Sequence, residues 1–239
     1  MLGLPETIFT QLAESADLVI YSGSRRSFWD LYYSLRDTNV SSIGTLLRMA
    51  ASRRIPIHFL SSSGVLLLSD STKPYTSQTT GTDSAACSVA QFQPPVDGSE
   101  GYVASKWASE VLLEKASRSL HIPVVIHRFT PRPASLLAED GISVFALEDL
   151  VGPTAKLNAI PEQSTWSGRF DVVRSAALAE SITDARSEEE KEPADARFVH
   201  HMGEAALIPT ELFEFLEERL GEKVDSRLVC WSRQMEPSS

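Results

Sequence analysis

The sequence predicts an α/β protein built on a doubly wound parallel sheet, and two observations in the first 130 residues support this fold class. Short, nearly continuous apolar runs recur, as is typical of strands buried on both faces of a parallel sheet. Stretches with the spacing of amphipathic helices separate these runs. The order strand, helix, strand, helix, strand therefore predicts parallel strands joined by right-handed crossovers.

The first strand is predicted at ADLVIYSG, and Gly23 ends it. The stretch NVSSIGTLLRMAASRR follows and places Ile43, Leu46, Leu47 and Ala50 at spacings of three and four residues. This spacing predicts a helix with one buried face. IPIHFLSSSG then predicts a second strand that ends in small residues.

The next helix is predicted at SKWASEVLLEKASRSL, with Trp107, Val111 and Leu112 on its buried face and Ala108 and Lys115 flanking them. IPVVIHRF predicts the third strand. Ligands bind at the carboxyl ends of the strands in such sheets, so the segments that follow the three strands form the candidate site.

The alternation stops beyond residue 130, and we therefore predict two parts, a sheet at 1–130 and a smaller mixed part at 131–239. In the second part, SVFALEDLV, VVRSAALAESIT and PTELFEFLEERLGEK predict helices, and ARFVHHMG predicts a short strand. The charged run RSEEEKEPADA predicts a solvated surface loop.

Composition excludes several classes of function. The chain has 239 residues, of which 42% are hydrophobic, and a formal net charge of −10. Nucleic-acid binding needs clustered basic residues, so no nucleic-acid partner is expected. No apolar run reaches the ~20 residues of a membrane span. Cys87 and Cys230 lack metal-ligand spacing, and His200 and His201 would point to opposite faces of a strand, so we expect no metal site. Two cysteines without a disulfide pattern fit a reducing compartment, so we expect a cytoplasmic protein.

The segment GYVASKWASE places Tyr102 four residues before Lys106, which puts both side chains on one face of a helix. An ammonium beside a phenol favours the phenolate and lowers the pKa of the tyrosine toward the range of a general acid or base. As a bare pattern, the pair also fits an ordinary exposed helix face. Ser62 changes this balance, because it ends the preceding strand, where its hydroxyl could bond the carbonyl that Tyr102 polarises.

With this context, the sequence resembles the extended short-chain dehydrogenase/reductases. More narrowly, it resembles the terminal thioester reductase domains of nonribosomal peptide synthetases and polyketide-peptide hybrid synthetases. The stretches that carry the resemblance are RRIPIHFLSSSGV, DGSEGYVASKWASEVLLE, RFVHHMGEAALIPTELFEFLEERLG and the segment from ADLVIYSG to LLRMA. The resemblance implies a Rossmann-like sheet followed by a smaller substrate part.

The resemblance also implies roles for individual residues. Ser62 matches the catalytic serine or threonine, with Ser61 and Ser63 as neighbours one register away. Tyr102 matches the catalytic tyrosine, and Lys106 matches the lysine that also holds the nicotinamide ribose.

Three further positions correspond to the cofactor side of the family's site. Gly23 and Ser24 match the turn that lies against the cofactor, and Arg128 belongs to the strand end that the family uses beside the nicotinamide. Asn39 matches the family's helix asparagine. The cofactor implied is NADPH.

The sequence departs from the family in one respect that bears on the cofactor. The family begins with a glycine-rich TGxxGxxG turn whose amides bind the pyrophosphate, and no such pattern occurs here. We therefore expect an incomplete sheet and weakened dinucleotide binding, in either a part of a larger synthetase or a short natural protein. The usual proline of the third strand end is also displaced, to Pro131.

The implied function is NADPH-dependent reductive release of a peptidyl or polyketide thioester from the phosphopantetheine arm of a carrier domain. The implied partners are that carrier domain and the rest of a synthetase. Two alternatives stay open on the same residues. One is a redox-neutral Dieckmann-type cyclisation, which some family members catalyse without NADPH, and the other is a non-catalytic remnant that binds a carrier or partner chain.

Overall fold

The computed structural model describes residues 3–25, 30–68, 88–94, 96, 100–129, 170–172, 175–187, 195–201, 205–207, 214 and 218. The helices among them are α1 (Glu6–Ser15), α2 (Tyr32–Asn39), α3 (Ser41–Ala50), α4 (Gly101–Leu120) and α5 (Ser175–Ser187), with a 3-10 helix at Ser63–Leu68. The strands are β1 (Val19–Tyr21), β2 (Ile57–Ser62), β3 (Val124–Phe129), β4 (Phe170–Val172), β5 (Arg197–His201) and β6 (Ala205–Leu207).

Four strands form a parallel sheet in the order β1-β2-β3-β5, which confirms the predicted Rossmann-like α/β class with a parallel sheet. Helices α2 and α3 connect β1 to β2, and α4 connects β2 to β3. The register aligns Ser62 with Phe129, and Phe129 with His201. The carboxyl ends of the three strands therefore lie at one level, where ligands bind in folds of this class.

One side of this sheet carries the main apolar core. Ile57, Phe59, Val124, Ile126 and Phe198 come from the strands and are buried. They pack in one cluster with residues of α3, α4 and the strand entries, namely Ile43, Leu46, Ala50, Ile55, Leu113, Ile122 and Ala196. The stripe predicted for α3 is confirmed in this cluster, where Leu47 lies at the margin.

The first strand differs from the prediction. β2 and β3 are buried on both faces over most of their length, as expected. β1 has only three residues, and its central Ile20 is 50% exposed. Among the described strands, β1 lies at the edge of the sheet and pairs only with β2, so the prediction of burial on both faces is wrong for this strand.

Helix α4 buries a different face from the one predicted. Leu112 is exposed, and Trp107 and Val111 are only partly buried. Apart from Leu113, the buried positions are small, polar or charged, namely Gly101, Ala104, Ser105, Lys106, Ser109, Glu110, Glu114, Ala116 and Ser117. The apolar spacing misled because buried polar groups such as Lys106, Ser109 and Glu110 have partners inside the protein, which makes their burial tolerable.

The structure also divides the chain after residue 130, but it returns residues 176–201 to the first unit. One compact unit contains Met1–Thr130 together with Ala176–His201. The other contains Pro131–Ser175 and Met202–Ser239. Residues 176–201 return to the first unit because the predicted strand ARFVHHMG forms β5 and pairs with β3.

In the second unit, β4 and β6 form an antiparallel pair, with Phe170 opposite Leu207. The predicted helix VVRSAALAESIT corresponds to α5, which continues to Ser187 and, from Ala176 onward, belongs to the first unit. The helix predicted at PTELFEFLEERLGEK lies outside the described residues except for Glu214 and Glu218, both of which are helical. SVFALEDLV and most of the charged run also lie outside them.

None of the helices that the structure describes combines the length and the apolar character that crossing a bilayer would need.

Candidate active site

Ser62 lies where the sequence places it, at the last position of β2. Its side chain is nearly buried, and its Oγ accepts a hydrogen bond from the amide of Gly64 at 3.1 Å. This bond fixes the oxygen while the hydroxyl hydrogen is donated to no described residue. Ser62 is therefore oriented at the sheet end with a donor left to offer.

Its neighbours have other environments. Ser61 is fully buried, and its Oγ has no hydrogen-bond partner among the residues that the structure describes. In the alternation of the strand, Ser61 points to the opposite face from Ser62. Ser63 begins the 3-10 helix and is partly buried.

Lys106 lies in the second turn of α4 and is 3% exposed. Its Nζ donates a hydrogen bond to the carbonyl oxygen of Leu60 at 2.8 Å, two residues before Ser62. The same Nζ lies 4.8 Å from the ring centroid of Phe59 and 5.9 Å from that of Tyr102. Burial lowers the pKa of Lys106 to about 8, while the Glu110 carboxylate acts in the opposite direction.

The first turn of α4 brings Tyr102 to the same end of β2. Tyr102 is partly buried and shares a helix face with Lys106, as predicted. A Cβ built on Gly64 would lie 3.3 Å from the Ser62 Oγ and 3.4 Å from Cγ2 of Val103. The turn after Ser62 and the turn that carries Tyr102 are thus in close contact.

The start of α4 is held tightly against the segment before α2. Gly101 is buried, and a Cβ at this position would overlap the carbonyl oxygen of Asp30 and crowd the amide of Tyr32. Only glycine allows this approach of two backbones. Gly101 therefore fixes the position from which Tyr102 and Lys106 project.

The loop that follows β1 contains two further predicted cofactor positions, Gly23 and Ser24. A Cβ at Gly23 would lie 3.0 to 3.1 Å from atoms of the Tyr21 ring, so the glycine allows the loop to pass over this ring. Ser24 is exposed. Asn39 holds the loop, because its Oδ1 accepts from the Arg25 amide at 2.8 Å and its Nδ2 donates to the Arg25 carbonyl at 2.9 Å.

Arg128 has a different environment from the one predicted. It is 1% exposed and forms a two-pronged ion pair with Glu110, at 2.6 Å from Nη2 to Oε2 and 3.2 Å from Nε to Oε1. Its guanidinium also stacks 4.5 Å above the ring centroid of Phe198. Arg128 thus pairs with α4 inside the protein, and we assign it no cofactor contact.

Sequence reasoning missed the line of buried charges that this pair belongs to. Lys106, Glu110 and Glu114 follow one another at intervals of four residues along α4. Glu114 accepts from the Ser88 hydroxyl at 2.7 Å, and burial raises the pKa of its carboxyl. The four-residue spacing is visible in the sequence and was the signal that could have revealed this face.

A second missed feature is a row of three buried imidazoles across β2, β3 and β5. His127 lies in the middle, with its Nε2 3.0 Å from Nδ1 of His58 and its Nδ1 2.9 Å from Nε2 of His201. These two bonds join the three rings in one row. The residues described here contain no cluster suited to a metal ion.

Comparison with known proteins identifies the family. Residues 1–131 match the male sterility protein family of NAD-binding domains. The chain belongs to this family, and its fold is that of an extended short-chain dehydrogenase/reductase of the reductase-domain type.

The relatives are fungal synthetases of great length. The chain is 40% identical over 221 residues to the hybrid PKS-NRPS synthetase buaA of Petromyces alliaceus. This alignment covers 91% of this chain and 5% of the synthetase. It is 37% identical over 222 residues to the fusarin C synthetase of Gibberella fujikuroi, again covering 92% of this chain and 5% of the relative. The chain thus spans about 5% of the length of these relatives.

Solved structures agree on the fold. The terminal R domain of the myxalamid PKS-NRPS pathway has a TM-score of 0.64 and 20% identity, over 97% of this chain and 54% of that domain. The reductase domain of a nonribosomal peptide synthetase from Mycobacterium tuberculosis has a TM-score of 0.66 and 20% identity, over 96% of this chain and 55% of that domain.

Proposed function

We propose that this chain contributes the catalytic end of an NADPH-dependent thioester reductase, which releases a peptidyl or polyketide chain from a carrier domain in secondary metabolism. The observation that carries the proposal is the buried ammonium of Lys106, anchored on Leu60 and facing the Tyr102 ring at the strand end where Ser62 lies. The membership of an NAD-binding family supports the nicotinamide cofactor.

The residues present fit the nicotinamide end of such a cofactor. Lys106 uses one ammonium hydrogen for Leu60, and no described residue accepts the other two. They are suited to ribose hydroxyls, and the loop at Ser22–Arg25 is suited to lie beside the ring. These residues account for the nicotinamide end of the cofactor only, because this sequence contains no TGxxGxxG turn that could bind the pyrophosphate.

The chemistry then follows from the protein groups. Lys106 and the loop at Ser22–Arg25 would hold the nicotinamide, which when bound would supply a hydride for the thioester carbonyl carbon. The Ser62 hydroxyl donates a hydrogen bond to the carbonyl oxygen and stabilises its growing negative charge. Tyr102 donates a proton to this oxygen, and Lys106 favours the resulting phenolate by its charge. The carbon–sulfur bond then breaks, the hydroxyl proton leaves with the sulfur as the carrier thiol, and an aldehyde remains.

The test combines cofactor binding with turnover. Purified chain is titrated with NADPH while nicotinamide fluorescence is followed, and NADPH oxidation is measured with an aminoacyl phosphopantetheine thioester. We expect Tyr102→Phe to lower kcat by about 100-fold or more, in line with loss of a general acid. Tyr33→Phe is the matched control, since Tyr33 is 81% exposed on α2.

Three results would count against the proposal. Absence of NADPH binding at millimolar cofactor would remove reduction by this chain alone. Product release without NADPH that still depends on Tyr102 would indicate the redox-neutral cyclisation. Equal turnover by Tyr102→Phe and the wild type would remove Tyr102 from the mechanism and favour a carrier-binding role.

A further inference from the structure

The residue between the proposed catalytic pair, Ser105, takes part in a polar chain that reaches across the site. It lies on α4 beside Lys106 and is fully buried. Its Oγ donates to the carbonyl of Tyr102 at 2.7 Å and accepts from Nδ2 of Asn39 at 2.9 Å. Asn39 in turn holds the backbone of Arg25 through both of its amide atoms.

The direction of every bond in this chain is fixed. The Arg25 amide can only donate, so the atom of Asn39 that faces it is the oxygen. The Asn39 nitrogen then donates its two hydrogens to the Arg25 carbonyl and the Ser105 oxygen. Ser105 has one hydrogen, which goes to the Tyr102 carbonyl. All donors in the chain are therefore used, and none is shared.

We infer that Ser105 is a positioning residue, which sets the loop at Ser22–Arg25 relative to the first turn of α4 through Asn39. The loop has few other ties among the described residues, since Ser24 is exposed and the Arg25 side chain, which pairs with Asp30, is itself 57% exposed. Without the Ser105 oxygen, one buried hydrogen of the Asn39 amide has no acceptor, and the amide loses the contact that orients it.

The structure provides a matched control on the same helix. Ser109 is also fully buried and one turn further along α4. Its hydroxyl bonds only to backbone oxygens, that of Asn39 at 3.0 Å and that of Ser105 at 2.8 Å. Ser109→Ala therefore removes a buried hydroxyl from the same contact between helices while the chain from Arg25 to Tyr102 stays complete.

The experiment measures hydrogen exchange of the Arg25 amide by NMR in the full chain. We expect Ser105→Ala to raise its exchange rate by about tenfold, which corresponds to the loss of one net hydrogen bond. Ser109→Ala is expected to leave this rate unchanged, and Ser105→Thr, which keeps the hydroxyl, to restore most of the protection. If Ser105→Ala does not fold, Ser105→Cys, which is nearly isosteric and a weak acceptor, takes its place.

Two exchange results would overturn the inference: equal acceleration by Ser105→Ala and Ser109→Ala, or no acceleration by either. Its functional consequence rests on the proposed function. The dissociation constant for NADPH is expected to rise about tenfold in Ser105→Ala and to stay unchanged in Ser109→Ala. If the wild type binds no NADPH, the proposed function fails, while the exchange rates still decide the role of Ser105.

Discussion

Lys106 offers the most direct test of how the site is built, because its ammonium is held in a buried position. Burial lowers its pKa from 10.5 to about 8. Between these pH values the unfolded chain binds a proton at Lys106 that the folded protein does not bind. The free energy of unfolding therefore rises with pH between 8 and 10.5, and it falls again as the pH is lowered from 10.5 to 8.

The size of the effect follows from the shift. A difference of about 2.5 pH units, at about 1.4 kcal/mol per unit, gives roughly 3 kcal/mol between pH 8 and 10.5. Lys106→Met keeps the length of the side chain and removes the titrating group. We therefore expect the free energy of unfolding of the wild type, minus that of Lys106→Met, to increase by about 3 kcal/mol over this range.

Urea unfolding followed by circular dichroism, at pH values from 7 to 10.5, measures this difference. Other lysines and tyrosines titrate equally in both proteins and cancel in the subtraction. Lys115→Met is the control, because Lys115 lies on the exposed side of the same helix. A difference that stays constant with pH would refute the reasoning, since it would mean that the ammonium is not desolvated in the folded state.

Three further substitutions test the surroundings of the site. Gly101→Ala is expected to lower the free energy of unfolding by about 1 to 3 kcal/mol, as is typical of overpacked sites, because the new Cβ would overlap a backbone carbonyl. Glu110→Gln should cost roughly 3 to 5 kcal/mol, because it removes the carboxylate charge that faces the buried guanidinium of Arg128. His127, whose pKa is lowered by burial from 6.5 to about 3, should reduce stability by about 1.4 kcal/mol per unit as the pH falls between these values, and His127→Asn should remove this slope.

Each of these substitutions has a control in the chain, measured by the same urea unfolding. Gly44 on α3 has open space around its Cβ position, so Gly44→Ala should stabilise by about 0.5 to 1 kcal/mol. Asp17→Asn breaks the exposed pair with Arg53 and should change stability by less than about 1 kcal/mol. His121→Asn alters an exposed histidine at the end of α4. Equal effects of test and control would contradict the corresponding prediction.

The sequence predicted the fold class well because parallel strands have a simple signature. β2 and β3 are runs of apolar residues, and their burial on both faces leaves little room for another assignment. β5 was recognised as a strand but placed in the wrong part. Its partner β3 ends at Phe129, and a strand that returns after 67 intervening residues carries no local mark of that partner.

The sequence predicted which residues form the site, but it did not predict which buried side chains bond to one another there. The spacing of Tyr102 and Lys106 located one helix face, which the structure confirms. The same spacing logic failed for the buried side of α4, because hydrophobicity does not show that Glu110 meets Arg128. Arg128 was assigned to the cofactor because its strand end resembles that of the family, and the resemblance does not show that its guanidinium pairs with Glu110.

The position of Glu110 explains how a buried ammonium remains available to a ligand. A carboxylate one turn from Lys106 would neutralise it if nothing else bound that carboxylate. Glu110 instead gives both oxygens to Arg128, and its effect on the pKa of Lys106 is smaller than that of burial. The ammonium therefore stays charged at neutral pH and lacks a carboxylate within bonding distance among the described residues. The ammonium is already desolvated in the folded protein. A hydroxyl, a ribose or a phenolate that binds at the end of β2 therefore does not have to remove water from it.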